Sequence, residues 1–239
     1  MLTKEEIHEQ ISLVNNQLSS TAFEFKQLIH LAQGENYLQL ASLEFQENNL
    51  IQSRLTLKLS LEQFLLGFRY KNTKPSDRHP IGNVKVKDKA MNPERGLRAL
   101  MIAIILKDYE IATEIAALIW DPPFSAYIGP SGACSYEEQL LAHSYRNFIL
   151  NDPSVEATIQ DLDSVITKSN DLKLYAHFLK SFLLNDSTLT NDKIENLINI
   201  VQQNDNLNLI GLGTIRILLT KGWIDQNFIE SKKYASIFN

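Results

Sequence analysis

The chain has 239 residues, 44% of them apolar, and 23 Lys or Arg stand against 28 Asp or Glu for a formal net charge of −5. A chain of this size and apolar content can bury roughly 70% of its unfolded surface, and it lacks the basic surplus typical of nucleic-acid-binding domains. One cysteine, Cys134, excludes an internal disulfide and fits a reducing compartment.

The N-terminus, MLTKEEIHEQ, is charged and amphipathic, with no apolar signal-peptide core. No run approaches the ~18 apolar residues of a membrane span. The expectation is a cytoplasmic protein with neither a membrane nor a nucleic-acid partner. Seven prolines and nine glycines are few, which suits long regular helices.

Thr3-Lys4-Glu5-Glu6 has the form of a helix capping box. Ile7, Ile11, Val14 and Leu18 follow at helical spacing. A second short helix is predicted from about Ser20, with Phe25, Leu28, Ile29 and Ala32 on one face and Gly34 as its stop. Residues 37–68 could form one helix, but the polar pair Asn48-Asn49 predicts a break. The segment FQENNLIQ resembles ILKDYEIA at 105–112, ILNDPSVE at 149–156 and LLNDSTLT at 183–190. In each, an apolar helix end runs into a polar pair and then a new helix. The pattern is a degenerate helical-hairpin repeat whose period is too irregular for a strict ~34-residue tetratricopeptide array.

Residues 71–93 interrupt the helical pattern. From Lys71 to Arg98 there are eight Lys or Arg and three Asp or Glu, the one basic region of an acidic chain. A solvated or functional loop is predicted here. Residues 96–123, GLRALMIAIILKDYEIATEIAALIWDPP, read as two helices folded back across Lys107-Asp108. The first is apolar almost all round, broken only by Arg98, and so belongs at the centre of the domain. Ala99 and Ala103, and Ala112 and Ala116, are spaced to let helix backbones approach closely. A second irregular segment, 120–135, is rich in Pro, Gly and aromatic residues.

A third hairpin opens at Ser135 or Tyr136. Leu140, Leu141, Tyr145, Phe148 and Ile149 form its first stripe, and Val155, Ile159, Leu162 and Ile166 the return. Asp152 is the predicted N-cap, with Pro153 at the first helical position. The fourth hairpin pairs Leu172, Tyr175, Leu179, Phe182 and Leu183 with Ile194, Leu197, Ile198 and Val201. A last apolar helix covers 207–219 and is stopped by Lys221-Gly222-Trp223. A short terminal helix is expected to hold Tyr234 and Phe238 against the body. The predicted fold is all-α: irregular antiparallel helical hairpins, tetratricopeptide-like without a strict repeat. It forms one domain over 1–239, with helices in 3–70, the basic loop at 71–93 and hairpins over 94–239.

No catalytic signature accompanies this fold. The histidines are His8, His30, His79, His143 and His177. None stands at i, i+4 from another, and there is no H-E-x-x-H or C-x-x-C. His143, on the helix YEEQLLAHSYRNF, has carboxylates only at i−5 and i−6, which favours a packed histidine over a metal ligand. Cys134 precedes a helix start, which can lower a thiol pKa, but His143 lies about two turns further on. Gly129-Pro130-Ser131-Gly132 lacks the Lys-Ser/Thr of a phosphate loop. Gly211-Leu212-Gly213 falls in an apolar helix and reads as a packing contact. No catalytic residue, metal or cofactor is expected.

Charge is the remaining guide. Over residues 151–208 there are nine acids and four bases. Several of the acids sit at helix starts, where they cap and favour the dipole. Asp152, Glu156, Asp161, Asp163 and Asp171 are the candidate residues of an acidic face that could meet a basic partner, favoured over the alternative in which the basic loop 71–98 meets an acidic one. Complementary fields of this kind speed association and exclude wrong partners.

The central segment, GLRALMIAIILKDYEIATEIAALIWDPP, resembles the core of the Imm49 family of bacterial immunity proteins. So does the layout of N-terminal helices, Pro-rich loop, Ala-rich hairpin with an acidic turn, and further hairpins. The resemblance implies a non-enzymatic, all-helical protein that binds and blocks a cognate toxin in the cytoplasm of the producing cell. It carries over no individual site residue. The alternative is a helical-repeat scaffold or regulatory adaptor that captures a peptide of another cytoplasmic protein.

Overall fold

The computed structural model describes residues 2–20, 26–69, 93–119, 135–188, 191–203, 206–230, 232 and 234–238. The basic segment 71–92, the aromatic segment 120–134 with Cys134, and His79 lie outside these described residues. The described chain is all-helical. Its helices are α1 (Lys4–Ser20), α2 (Lys26–Gln46), α3 (Leu50–Arg69), α4 (Pro93–Ile105), α5 (Tyr109–Leu118) and α6 (Tyr136–Leu150). The rest are α7 (Val155–Lys168), α8 (Lys173–Leu184), α9 (Asn191–Gln203), α10 (Leu209–Thr220), α11 (Gln226–Glu230) and α12 (Ala235–Phe238).

The all-round apolar helix sits where its sequence requires. Every residue of α4 from Ala99 to Ile105 is fully buried. Around it pack α3, α5, α6 and α10. Ala112 and Ala116 of α5 are fully buried as well. Arg98, the one charge in the run, reaches out of the core to Glu35 and Glu94 at 2.7 and 2.6 Å. One continuous core cluster runs from Leu31 to Phe238, and a small satellite of Ile7, Ile11 and Leu40 attaches α1 to α2.

The polar pairs are one repeated device. Asn48, Lys107, Asn151 and Asn185 all adopt positive φ, between 50° and 63°. The next amide reaches back five residues in each case: Asn49 to Glu44, Asp108 to Ala103, Asp152 to Asn147 and Asp186 to Ser181, at 2.8–2.9 Å. This left-handed cap satisfies helix-end carbonyls and turns the chain sharply. Gly222 (φ 67°) repeats it at the end of α10, where the Trp223 amide donates to the Leu218 carbonyl. Beyond the cap the turns differ. Asp108 caps α5 at once by accepting from the Ile111 amide at 3.1 Å. Asp186 instead folds onto the Thr188 amide and hydroxyl, which delays the next helix.

Four local expectations are corrected. The second helix is not short: α1 runs through Ser20, residues 21–25 with Phe25 lie outside the described residues, and α2 is described from Lys26 to Gln46. Gly34 does not stop it. It lies mid-helix, where a Cβ would come within 2.8 Å of the Phe64 ring of α3. Ser60 donates to the Gly34 carbonyl and Ser53 to that of Ala41, at 2.8 and 2.7 Å, so small residues bring α2 and α3 together. With that face turned to α3, Leu28 and Ala32 point outward and Leu31, Ala41 and Phe45 fill the core. Finally, Asp152 is not the cap of α7. Its carboxylate accepts from the Ser154 amide and hydroxyl, Ser154 occupies the cap position, and Pro153 precedes the helix.

Candidate functional site

Helix α7 and its two flanking turns carry all five acids singled out from the sequence. It packs on α6 and α8, burying Thr158, Leu162 and Val165. Its opposite face leaves Glu156, Gln160, Asp163 and Thr167 exposed, at helical spacing. Asp171 is exposed in the turn beyond.

The five carboxylates are not equivalent. The Ser154 hydroxyl and amide hold Asp152 below the ordinary carboxylate range. Asp163 pairs with Lys180 of α8 at 2.7 Å, with both groups partly open to solvent. Asp161 faces inward. Burial raises its pKa, opposed by His143 of α6, whose Nδ1 lies 3.9 Å from it. Glu156 and Asp171 remain as outward charges. The face is therefore acidic but partly neutralised, with its strongest field at the two ends of α7.

The α6–α7 seam behind this face is polar. Asn147 donates to Thr158 Oγ1 at 2.9 Å and accepts from Arg146 at 2.8 Å, while the Thr158 hydroxyl donates to the Ser154 carbonyl. These bonds fix the register of the hairpin. His143 finds its carboxylate 18 positions away on the neighbouring helix, so spacing within YEEQLLAHSYRNF carried no sign of the pairing. Burial, reinforced by Lys193, Lys173 and Lys180, lowers the pKa of His177 on α8. Among the described residues no three His, Cys, Asp or Glu side chains converge to hold a metal ion. Nor is any described helix long and apolar enough to cross a membrane.

Two further surface features stand out. A surface pocket of about 380 Å³ lies between α1, α2 and Asn206, lined by Leu2, Ile7, Leu43 and uncharged polar groups. Two of those groups, Gln46 and Asn206, bond each other at 2.8 Å. The second feature is the outward face of α3, where Ile51, Leu55, Leu59 and Leu66 are 70, 53, 42 and 46% exposed. The sequence reading missed this row because α3 is apolar on both sides. Its excess of Leu over what one buried stripe needs was the available signal.

No family model, curated protein or solved structure matches this chain.

Proposed function

We propose that this protein is an immunity protein that binds and neutralises a cognate bacterial toxin by direct contact, in the cytoplasm of the producing cell. The observation that carries the reading is the solvent-facing acidic side of α7, with Glu156 and the Lys180-paired Asp163 on a helix whose other faces are locked to α6 and α8, and Asp171 exposed in the turn that follows. The resemblance of residues 96–123 to an immunity family supplies the class of partner. A rigid helical surface with a net acidic excess favours a basic partner, by steering encounter and rejecting acidic proteins. Inhibition then comes from occlusion, with no chemistry required of the immunity protein.

Co-expression with the product of the adjacent upstream gene tests this. That product alone should arrest growth, and this protein should restore growth and co-purify with it in a stoichiometric complex. A harmless or non-binding neighbour would sink the reading. Reversing charge at Glu156, Asp163 and Asp171 together should slow association about tenfold at low salt and flatten its salt dependence.

A further inference from the structure

Among the described residues Glu44 is the one carboxylate buried in the fold. It is 2% exposed, and its Oε2 is enclosed without a hydrogen-bond partner. It stands on α2 where three helices meet. Lys4 and His8 face it from α1, Glu47 from the next turn of α2, and the Thr56 hydroxyl from α3. Lys4 is already engaged: its Nζ donates to Glu47 Oε2 at 2.9 Å, and Glu5 also shares its field. His8, one turn further along α1, is exposed. Two carboxylates of α2 thus face one committed lysine and one titratable ring. Burying a charge without its own partner is costly. Burial accordingly raises the pKa of Glu44, opposed by Thr56, Lys4 and His8.

The helix lying against this carboxylate is lightly anchored. Helix α1 packs chiefly on α2. Its hold is the satellite of Ile7, Ile11 and Leu40, separate from the main core. Gln33 adds bonds to the Ile11 carbonyl and to Asn15 Oδ1 at 3.2 and 3.1 Å. An element tied by so few buried apolar side chains opens locally at less cost than the whole fold. Opening α1 returns Glu44 to water. It also takes Leu2 and Ile7 away from the surface pocket they line with Leu43.

We infer that the docking of α1 on α2 is a pH-sensitive clasp. Glu44 must take up a proton, or face a protonated His8, for α1 to seat fully, so acidification tightens α1 and a rise in pH loosens it. The direction follows from proton linkage. The docked form holds the Glu44 proton more firmly than the opened form, whose carboxyl returns toward its ordinary 4.5, so the docked population grows as pH falls. A histidine gains its charge over the same descent, and His8 then gives Glu44 the cation that Lys4 gives to Glu47. Both groups act in one direction. The partly exposed Lys4–Glu47 pair adds little of its own. The clasp involves neither α7 nor its partner, so the inference stands apart from the toxin reading.

Hydrogen–deuterium exchange of the full chain, followed on peptides of α1 and corrected for intrinsic exchange rates, tests it between about pH 7.5 and about pH 5. Protection of α1 should stay below that of α4 throughout, because α1 opens locally, and should rise several-fold as the pH falls. Glu44→Gln carries no charge at any pH and should remove most of that rise. His8→Gln, at an exposed position, should remove a smaller part while leaving the far-UV circular dichroism unchanged. Protection of α1 that ignores pH, or falls on acidification, overturns the inference. So does a rise kept in full by Glu44→Gln, or α1 protection equal to that of α4, which would make α1 part of the cooperative core. Should Glu44→Gln misfold, His8→Gln decides: an undiminished rise in that variant overturns the inference as well.

Discussion

The Arg216 guanidinium lies 4.5 Å from the centre of the Phe238 ring and donates to the carbonyl of Phe238 itself at 2.6 Å. Its Nε donates to the carbonyl of Ile105 at 3.2 Å. One fully buried cation thus ties α10 at once to the end of α4 and to α12. Arg54 of α3 adds a bond to the Ile237 carbonyl at 2.9 Å, so two arginines hold the open carbonyl end of α12. Positive charge belongs at that end of a helix. Arg216→Met should leave two buried carbonyls without their donor and cost about 2–4 kcal/mol. Arg216→Lys should fall between, because a single ammonium cannot reproduce the planar fork. Urea denaturation of the three proteins would order them.

The glycines of α10 make a second expectation. A Cβ on Gly211 would meet Val201 Cγ2 at 2.5 Å, and one on Gly213 would meet Met101 Sδ at 2.5 Å. The distances match but the neighbours differ. Val201 is branched and stiff, whereas the end of Met101 can swing aside. Gly211→Ala should therefore destabilise by about 1–3 kcal/mol and Gly213→Ala by less. The double variant G211A/V201A should recover part of the loss of G211A in thermal melts.

Of the repeated left-handed caps, only Lys107 is neither Asn nor Gly. Its backbone is held at φ 63°, where a side chain with a Cβ is disfavoured. Lys107→Gly should raise stability by up to about 1 kcal/mol. The same change at Asn151 or Asn185 should gain less, since Asn tolerates this region. Equal gains at all three positions would show that strain at Lys107 is not the cause.

Alkaline pH should unfold the protein through its buried tyrosines. Burial raises the pKa of Tyr145 and of Tyr234 well above the ordinary 10.0, and raises Tyr175 as well. The unfolded chain releases these protons near pH 10 while the folded chain keeps them. The stabilisation is thus whole below pH 10 and lost as pH rises above it. Arg216 works the other way. Burial lowers its pKa from 12.5 to about 10, so between those values the unfolded chain binds more protons and stability rises with pH. Burial lowers the pKa of Arg54 as well, but the three raised tyrosines outweigh the two arginines, and net stability should fall. Phenolate absorbance should rise late and together with loss of helical circular dichroism. Tyr145→Phe should make the fall shallower, although its lost bond to Thr214 lowers stability at neutral pH.

By itself the sequence determined those features whose causes lie within a few residues. Thr3 and Glu6 close their capping box with reciprocal bonds of 2.7 and 3.2 Å, because both partners sit in one helical turn. The polar pairs at 48, 107, 151 and 185 end helices because the signal is the backbone conformation those residues accept. The placement of α4 at the centre came from the absence of any polar face. Tertiary structure decided what depends on a distant neighbour. Gly34 looked like a stop because a glycine weakens a helix anywhere; only Phe64, thirty residues on, turns it into a contact. Asp161 belongs to a polar seam because α6 brings His143 against it, which leaves Glu156 and Asp171 as the outward charges of the candidate site. Helix α3 could have buried either apolar side, and the small residues Ser53 and Ser60, bonded across to α2, settled which side faces the core and which row is left in solvent.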